Sequence, residues 1–567
     1  MTTAQFGLDT TSHNISNVDT AGYTRQRIVS TAYDPFATIG KFLPVDQALV
    51  GGGVRIDILD QIRSQYLDRR FRSENTTNAY WEQRTQSFTY LESFFDNVNE
   101  KTSINYSMAE FFKAMKIVAE DPVAGAPRTL LQTAAMDLVQ QLNMVYDGLV
   151  DLQSIENRSV QTKVGDINRI AGEFAELNKA IYGFEITGMI ANDLRDKRNL
   201  LIDELSRYID IEYSEYPDMY GHSMFELRVG GVLLVDHDRA STLSVRPIPN
   251  VLPDDPETGW EAEMAWEPYW EEMLRPTRFN PNRNAVVDDG TTLDMTRITG
   301  GELKAHIDMR DGVGNGADST KRGIPYYIEM INNLARALVF EVNAIHTQGW
   351  TDHPNGSRTG VNFFHFDEEN PYSWMAVNAD GDIIRRDPAD PNIWLDANGE
   401  VVADTTGYIL EIDMATVTAK NIRLSDDILA SPYNIAASST EIKRANLGES
   451  EELQRGNNEN MNALYDLFRK TGITMLGRDI GSFDDYGTVV RFDVGNTLRT
   501  AKKAGETSRI LTLAAENQRT SIAGVSLDEE MVGLVKYQHA YNGAARVITA
   551  MDDALDRLIN GTGRVGL

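Results

Sequence analysis

Cysteine is absent from all 567 residues. Disulfide scaffolds, thiolate zinc sites and cysteine nucleophiles are thereby excluded. Positive charge is also scarce: 54 Lys and Arg stand against 84 Asp and Glu, a formal charge of −30. The densest basic cluster, Arg69-Arg70 with Arg72, sits among carboxylates, so neither nucleic acid nor a membrane surface is an expected partner. No apolar run approaches the ~20 residues that a membrane span requires. Met1-Thr2-Thr3-Ala4-Gln5 has neither the basic nor the apolar region of a cleaved signal peptide, so export would need another route. A phosphate loop and a nucleophile elbow are missing too. Gly51-Gly52-Gly53 leads into the strand-like Val54–Ile58 rather than into a helix.

What is present is helical periodicity. The length suggests three or four units at roughly 150 residues each. Ala4, Leu8, Thr11, Ile15 and Val18 follow a 4-3 spacing and predict a short helix over 1–18 with an a/d seam. Extended chain is expected over 24–60, and helix from about 60 to 118, with Trp81, Phe88 and Phe95 seven apart. Asp121-Pro122 ends it. Leu131, Ala135, Leu138, Leu142, Val145, Leu149 and Leu152 then keep a strict 4-3 alternation. Val160, Val164, Ile167, Ala171, Phe174 and Ile181 repeat it after a phase slip, which predicts one long packed helix. Another helix is expected over 193–208. Period-two alternation over 209–247 predicts strands. Residues 248–300 are rich in Pro, Asp and Trp, and helix returns at 301–311 and 325–346. Asp-Gly and Asn-Gly turns within 360–415 predict β-hairpins. From 433 to 520 helix resumes around a strand-like patch at Gly487–Phe492.

The C-terminal segment carries the clearest seam. Leu527, Leu534, Tyr541, Ile548 and Leu555 form one seven-residue series; Glu530, Tyr537, Ala544, Met551 and Leu558 form the other, with Glu530 its one polar member. Ser526 is a natural N-cap with Glu529 at the capping-box position, and Asn560-Gly561 ends the helix. The N-terminal seam is too short to be stable alone and needs a partner. Pairing it with the C-terminal helix would nest the rest of the chain between the two ends. The expected class is therefore mainly α with inserted β domains (α+β): terminal helices paired as a coiled coil, a long helical bundle in the middle, and β-rich insertions. The expected units are a terminal coiled-coil domain (1–35 and 515–567), a helical and β middle domain (36–247, 301–360 and 416–514), an acidic Trp-rich insertion (248–300) and an inserted β domain (361–415). The N-terminal seam is much shorter than the C-terminal one it should match, so the chain is expected to begin inside its natural first helix.

Ser12-His13-Asn14-Ile15-Ser16-Asn17-Val18-Asp19-Thr20-Ala21-Gly22-Tyr23-Thr24-Arg25-Gln26 resembles the N-terminal signature of bacterial flagellar rod, hook and hook-associated proteins. Val525–Glu530, with Tyr537, Gln538 and Tyr541, resembles their C-terminal signature. Asn192–Arg198, Gly300–Lys304 and Asn343–Gly349 resemble stretches of the hook-associated proteins at the hook–filament junction. The resemblance implies a non-enzymatic structural subunit, exported by the flagellar type III route to the extracellular flagellum. It implies a ring-like homo-oligomer between the hook protein and a second hook-associated junction protein, and a cytoplasmic export chaperone on the C-terminal helix. The assembly seam would then be Leu8, Ile15, Val18, Leu527, Leu534, Tyr537, Tyr541, Ile548, Met551, Leu555 and Leu558. The motif positions are Asn14, Asn17, Gly22, Tyr23, Arg25 and Gln26.

Three other groups bear on chemistry. His346, Asp352, His353 and His365 could offer zinc donors, but their spacing is not that of a helical pair and the chain between is loop, so no metal is expected. Asp380, Asp382, Asp396, Asn398 and Glu400 lack the twelve-residue spacing of a calcium loop and fit hairpin turns. Trp260, Trp266, Tyr269 and Trp270 could stack on sugars if exposed, or form the small core of an outer subdomain. The rival function is an adhesive or glycan-binding protein carrying flagellar export ends. A wall hydrolase would need convergent polar groups that the sequence does not display, so no cofactor and no catalytic residue is expected.

Overall fold

The computed structural model describes residues 1–32, 53–95, 103–218, 220–252, 262–276, 284–314, 321–366, 374–442 and 455–561, apart from 379–381, 388–389, 397–399, 404, 407 and 477. In chain order, α1 (Thr2–Ser16) leads to an antiparallel pair, β1 (Gln26–Ala32) and β2 (Val54–Gln61). Four helices follow: α2 (Gln65–Phe95), α3 (Ile104–Glu120), α4 (Gly125–Glu185) and α5 (Asn192–Tyr208). A four-stranded antiparallel sheet comes next, made of β3 (Glu212–Pro217), β4 (Ser223–Val229), β5 (Val232–Asp236) and β6 (Arg239–Ala240). A three-stranded one holds β7 (Thr242–Ile248), β8 (Ala265–Pro276) and β9 (Asn284–Asp288). Then come α6 (Glu302–Asp311), α7 (Ile324–His346) and β10 (Trp350–Thr351). The hairpin region holds β11 (Trp374–Val377), β12 (Ile383–Asp387), β13 (Asp390–Leu395) and β14 (Ile409–Ile412), in the order β13-β12-β11-β14. The short α8 (Asp426–Ala430), β15 (Ala436–Ser438) and α9 (Glu459–Asp466) lead to the hairpin β16 (Ile473–Met475) and β17 (Arg478–Gly481). Two long helices, α10 (Phe483–Ala523) and α11 (Leu527–Gly561), end the described chain.

The long helix α4 organises the interior. Leu131 to Leu152 lie in one core with α3, α7, α9 and the start of α10. Val160 to Phe174 lie in a second core with α5, α6 and the two sheets that follow α5. The phase slip in the sequence falls between them. There the stripe is interrupted by buried polar residues: Gln153, which donates to the carbonyl of Arg310, Glu156, and Asn157, which donates to that of Met264. The Glu156 carboxylate accepts from Ser87 and meets His306 at 2.5 Å. The gap in the second stripe is Asn178, fully buried and bonded to the His237 carbonyl and to Arg198.

Four expectations are corrected. The helix expected over 60–118 is two, α2 and α3, and Ser103 caps the second by accepting from the amide of Tyr106. The strand-like patch 487–492 is helical inside α10. Ser482 caps that helix and Asp484 and Asp485 occupy its first turn, while Tyr486, Val490, Val494 and Leu498 are buried at helical spacing. Helix start signals and packing override the β-branched run. The acidic stretch 248–300 does not stand apart: β8 pairs with β7, and Trp270 is buried in the second core. Trp266 packs at that core's edge, and Trp260 lies outside the described residues. The 361–415 segment does hold a sheet, but its boundary differs. Val361, Phe363 and Phe364 belong to the first core, and the sheet begins at Trp374.

Candidate assembly interface

The N-terminal motif closes on the C-terminal helix around one carboxamide. Asn14 is buried on the inner face of α1, with Thr11, Gly7 and Ala4 about one, two and three turns before it. Its Nδ2 donates to the carbonyl of Gln26 (2.9 Å) and to Glu530 (3.0 Å). Its Oδ1 accepts from the Tyr23 hydroxyl (2.7 Å) and the Gln26 amide (3.1 Å). Asparagine is needed because only a carboxamide offers two donors and an acceptor with two lone pairs in one plane. Glu530, the polar exception in the C-terminal seam, is the hub's anion; it also binds Arg25 Nε at 2.6 Å. Arg25 reaches Glu529 at 2.5 Å, and its amide donates to the carbonyl of Ala523 at the end of α10. Glu529 therefore turns to Arg25 instead of completing the capping box, while Ser526 still caps α11 at 3.5 Å from the Glu529 amide.

A third motif seals the node. Asp196 accepts from the Thr24 amide (3.0 Å) and from Gln61 (2.9 Å), and Gln26 donates to Asp193 (3.1 Å). Asn192 donates to Gln26 at 3.2 Å. Asn17 bonds to the His13 carbonyl and accepts from Thr20, finishing α1. Gly22 then turns the chain at φ +76°, where a side chain would be strained and Leu200 is in contact. Electrostatics follow burial. Asp196 is held up at about 6, mainly by desolvation, against its bonds to Thr24 and Gln61. The Tyr23 phenol is raised by burial and by Asp193, Asp196 and Glu530. Burial depresses Arg25, but its bonds to Glu529 and Glu530 raise it overall.

Beyond the hub, α1 packs along the first part of α11. A Cβ at Gly7 would fall on the Tyr537 ring, and one at Gly533 would sit 3.7 Å from the Thr11 hydroxyl. The most buried face of α1 is thus the small-residue row Ala4, Gly7, Thr11 and Asn14, while Leu8, Ile15 and Val18 are half-buried. On α11, Leu534, Tyr537 and Tyr541 are half-buried. Leu527 is exposed, as are Ile548, Met551, Leu555 and Leu558. The sequence pattern held Ala4 and Thr11 of this row but missed Gly7 and Asn14, because glycine and asparagine carry no hydrophobic signal; the polar exception at Glu530 was the available clue.

The zinc candidates do not converge. His346 is fully buried and held down at about 4 by desolvation. Its Nε2 accepts from the Ala436 amide, so Nδ1 carries the proton and donates to the Val361 carbonyl at 2.6 Å. Asp352 binds Arg455, His353 accepts from the Asn355 amide, and His365 meets Arg423. Asn343 of the same motif pins the backbone of Phe363 and Phe364. Asp382 closes a turn with Asn378, and Asp396 one with Glu400, as hairpins require; Asp380 and Asn398 lie outside the described residues.

Residues 88–364 match the helical domain of the flagellar hook-associated protein FlgK, and 516–561 match the C-terminal region of flagellar basal body rod proteins FlgE, FlgF and FlgG. Flagellar hook-associated protein 1 of Bacillus subtilis is 25% identical across 99% of this chain and 96% of its own length. The proteins of the same name from Salmonella typhimurium and Escherichia coli are each 25% identical, across 98% of this chain and 97% of their own. The chain belongs to the flagellar hook-associated protein 1 family. The solved flagellar hook junction protein FlgK from Burkholderia pseudomallei shares the fold, with a TM-score of 0.55 at 14% identity over 80% of this chain and all of its own. The family's helical-domain match runs through 248–300, in keeping with the place of β8 in the second core, and stops at Phe364, before the β11–β14 sheet.

Proposed function

We propose that the chain is a structural, non-catalytic subunit of the extracellular flagellum that assembles with copies of itself at the junction between hook and filament. The observation that carries this reading is the outer part of α11. There Ile548, Met551, Leu555 and Leu558 are 53–64% exposed while keeping the seam spacing. A helix face of that pattern gains roughly 25 cal/mol for each Å² of apolar surface removed from water, and terminal helices of neighbouring copies would cover it in a tube or ring. Contacts with the hook protein and a second hook-associated junction protein would lie at the two ends of that ring. Before export by the type III route, a cytoplasmic chaperone would shield the same face. The glycan-binding alternative loses its main support, because Trp270 is a core residue.

Leu555→Asp tests the reading. The side chain is exposed in the single protomer, so thermal unfolding and circular dichroism should match the wild type. Complementation of a junction-protein null strain should fail, with filaments absent from hooks. Normal motility with this variant would reject the assembly role of the face.

A further inference from the structure

A cleft of about 230 Å³ opens where β2, the start of α2, α5 and the β3–β4 edge meet. That is far more than the ~15 Å³ one ordered water requires. In a chain of charge −30 its lining is basic: Arg63, Arg69, Arg72, Arg195 and Arg198 against Asp60, Asp68 and Glu215. Four of the arginines are held in place by carboxylates: Arg63 by Asp68, Arg72 by Asp203, Arg195 by Glu185 and Arg198 by Glu215. Arg69 has no ion pair among the described residues; its guanidinium stands 5.6 Å from the centroid of the Tyr213 ring, and Arg72 lies 4.5 Å from the same ring. Two buried polar atoms in the lining, the Tyr213 hydroxyl and the Nε of Arg198, have no hydrogen-bond partner among the described residues, and Arg198 is 4% exposed. A buried donor left unmatched is unfavourable, so an acceptor arriving here is rewarded twice, by charge and by satisfied donors.

We propose that this cleft is an oxyanion site for a single carboxylate or phosphate group, with Arg69 as the uncommitted cation and the Tyr213 hydroxyl and Arg198 as fixed donors. A guanidinium prefers planar oxyanions, and the ordered arginines around it lose little freedom on binding. The group can come from a free anion or from an Asp or Glu of a second copy, of which the chain has many.

The test uses the full chain, with inorganic phosphate and glutarate as probes in chloride at constant ionic strength. Arg69→Gln removes an exposed charge and should fold normally; Tyr213→Phe keeps the ring and removes only the hydroxyl. For a free anion, either probe raises the unfolding temperature of the wild type, and Arg69→Gln weakens binding at least about fivefold, with a smaller loss for Tyr213→Phe and partial rescue by Arg69→Lys. For a second copy, the probes have no effect, but both variants sediment with weaker self-association than the wild type. Probe responses and self-association that are the same in Arg69→Gln as in the wild type overturn the proposal.

Discussion

At the residue scale, two buried polar groups at the terminal node have opposite consequences. Asn14 satisfies four partners at once, so Asn14→Ala strands one Glu530 oxygen, the Tyr23 hydroxyl and the amide and carbonyl of Gln26, with Arg25 left on the other Glu530 oxygen. The expected cost to docking of α1 is about 2–4 kcal/mol. Hydrogen exchange should read it as lost protection in residues 2–32 with α4 unchanged; equal protection of α1 would show that the node does not hold the terminal segment. Asp196 works the other way. Its native pKa of about 6 lies above the 3.8 of an ordinary aspartate. Between those pH values the folded chain holds a proton that the unfolded chain has released, so stability falls as pH rises through the window and stays lower above it. Asp196→Asn keeps an acceptor for Thr24 and Gln61 and removes that slope. It should gain about 1–3 kcal/mol at pH 7 relative to wild type and little at pH 3.5, measured by thermal melts at both. Parallel pH profiles would refute the assignment.

At the scale of elements, the seam was legible but its contact row only in part, through Ala4 and Thr11. The 4-3 spacing identified both terminal helices, yet α1 seats its small residues, not its larger apolar ones, against α11. Close approach explains this: the Tyr537 ring occupies the space a side chain at Gly7 would need. Gly7→Ala should therefore loosen the helix pair although alanine favours helix by about 1 kcal/mol. Gly7→Ala combined with Tyr537→Ala should cost less than the sum of the two single changes. Strict additivity in unfolding free energies would mean that the ring simply moves aside. The β11–β14 sheet tests a different kind of element. Its strands pair with one another, with Ala376 and Ile384 buried, and Arg385 reaches Asp413 beside the returning chain. Removing residues 367–412 should leave the main helical melting transition within a few degrees of the wild type. A collapse of that transition would place the sheet in the structural core. Turn dipeptides made this sheet readable, whereas β8 was hidden because its stretch is rich in proline and acid and because a bulge at Glu271 breaks the alternation, leaving the buried Trp270 and Met273 three residues apart.

For the whole molecule, the legible part was the periodic part. The helices α4, α5, α6 and α7 fall where helix was predicted: α4 buries its stripe against the two cores, whereas α7 is enclosed on nearly all sides, with Ile331 to Val339 buried without a break. Less visible was that one helix serves two cores, although the phase slip after Leu152 marked the place. The second apolar series restarts at Val160, one residue later than the first would have put it, and that shift turns the buried face of α4 from one lobe toward the other. Glu156 and Asn157 fill the joint with hydrogen bonds to α2, α6 and β8.

The 61 residues of α4 give a rod about 90 Å long at ~1.5 Å per residue. Both lobes are clamped to this rod, and the joint between them is cross-braced, not hinged. A twisting load applied to one lobe thus passes to the other through an unbroken ladder of backbone hydrogen bonds. Within the assembly proposed above, such a subunit would behave as a stiff spar, and compliance would be left to the contacts between copies.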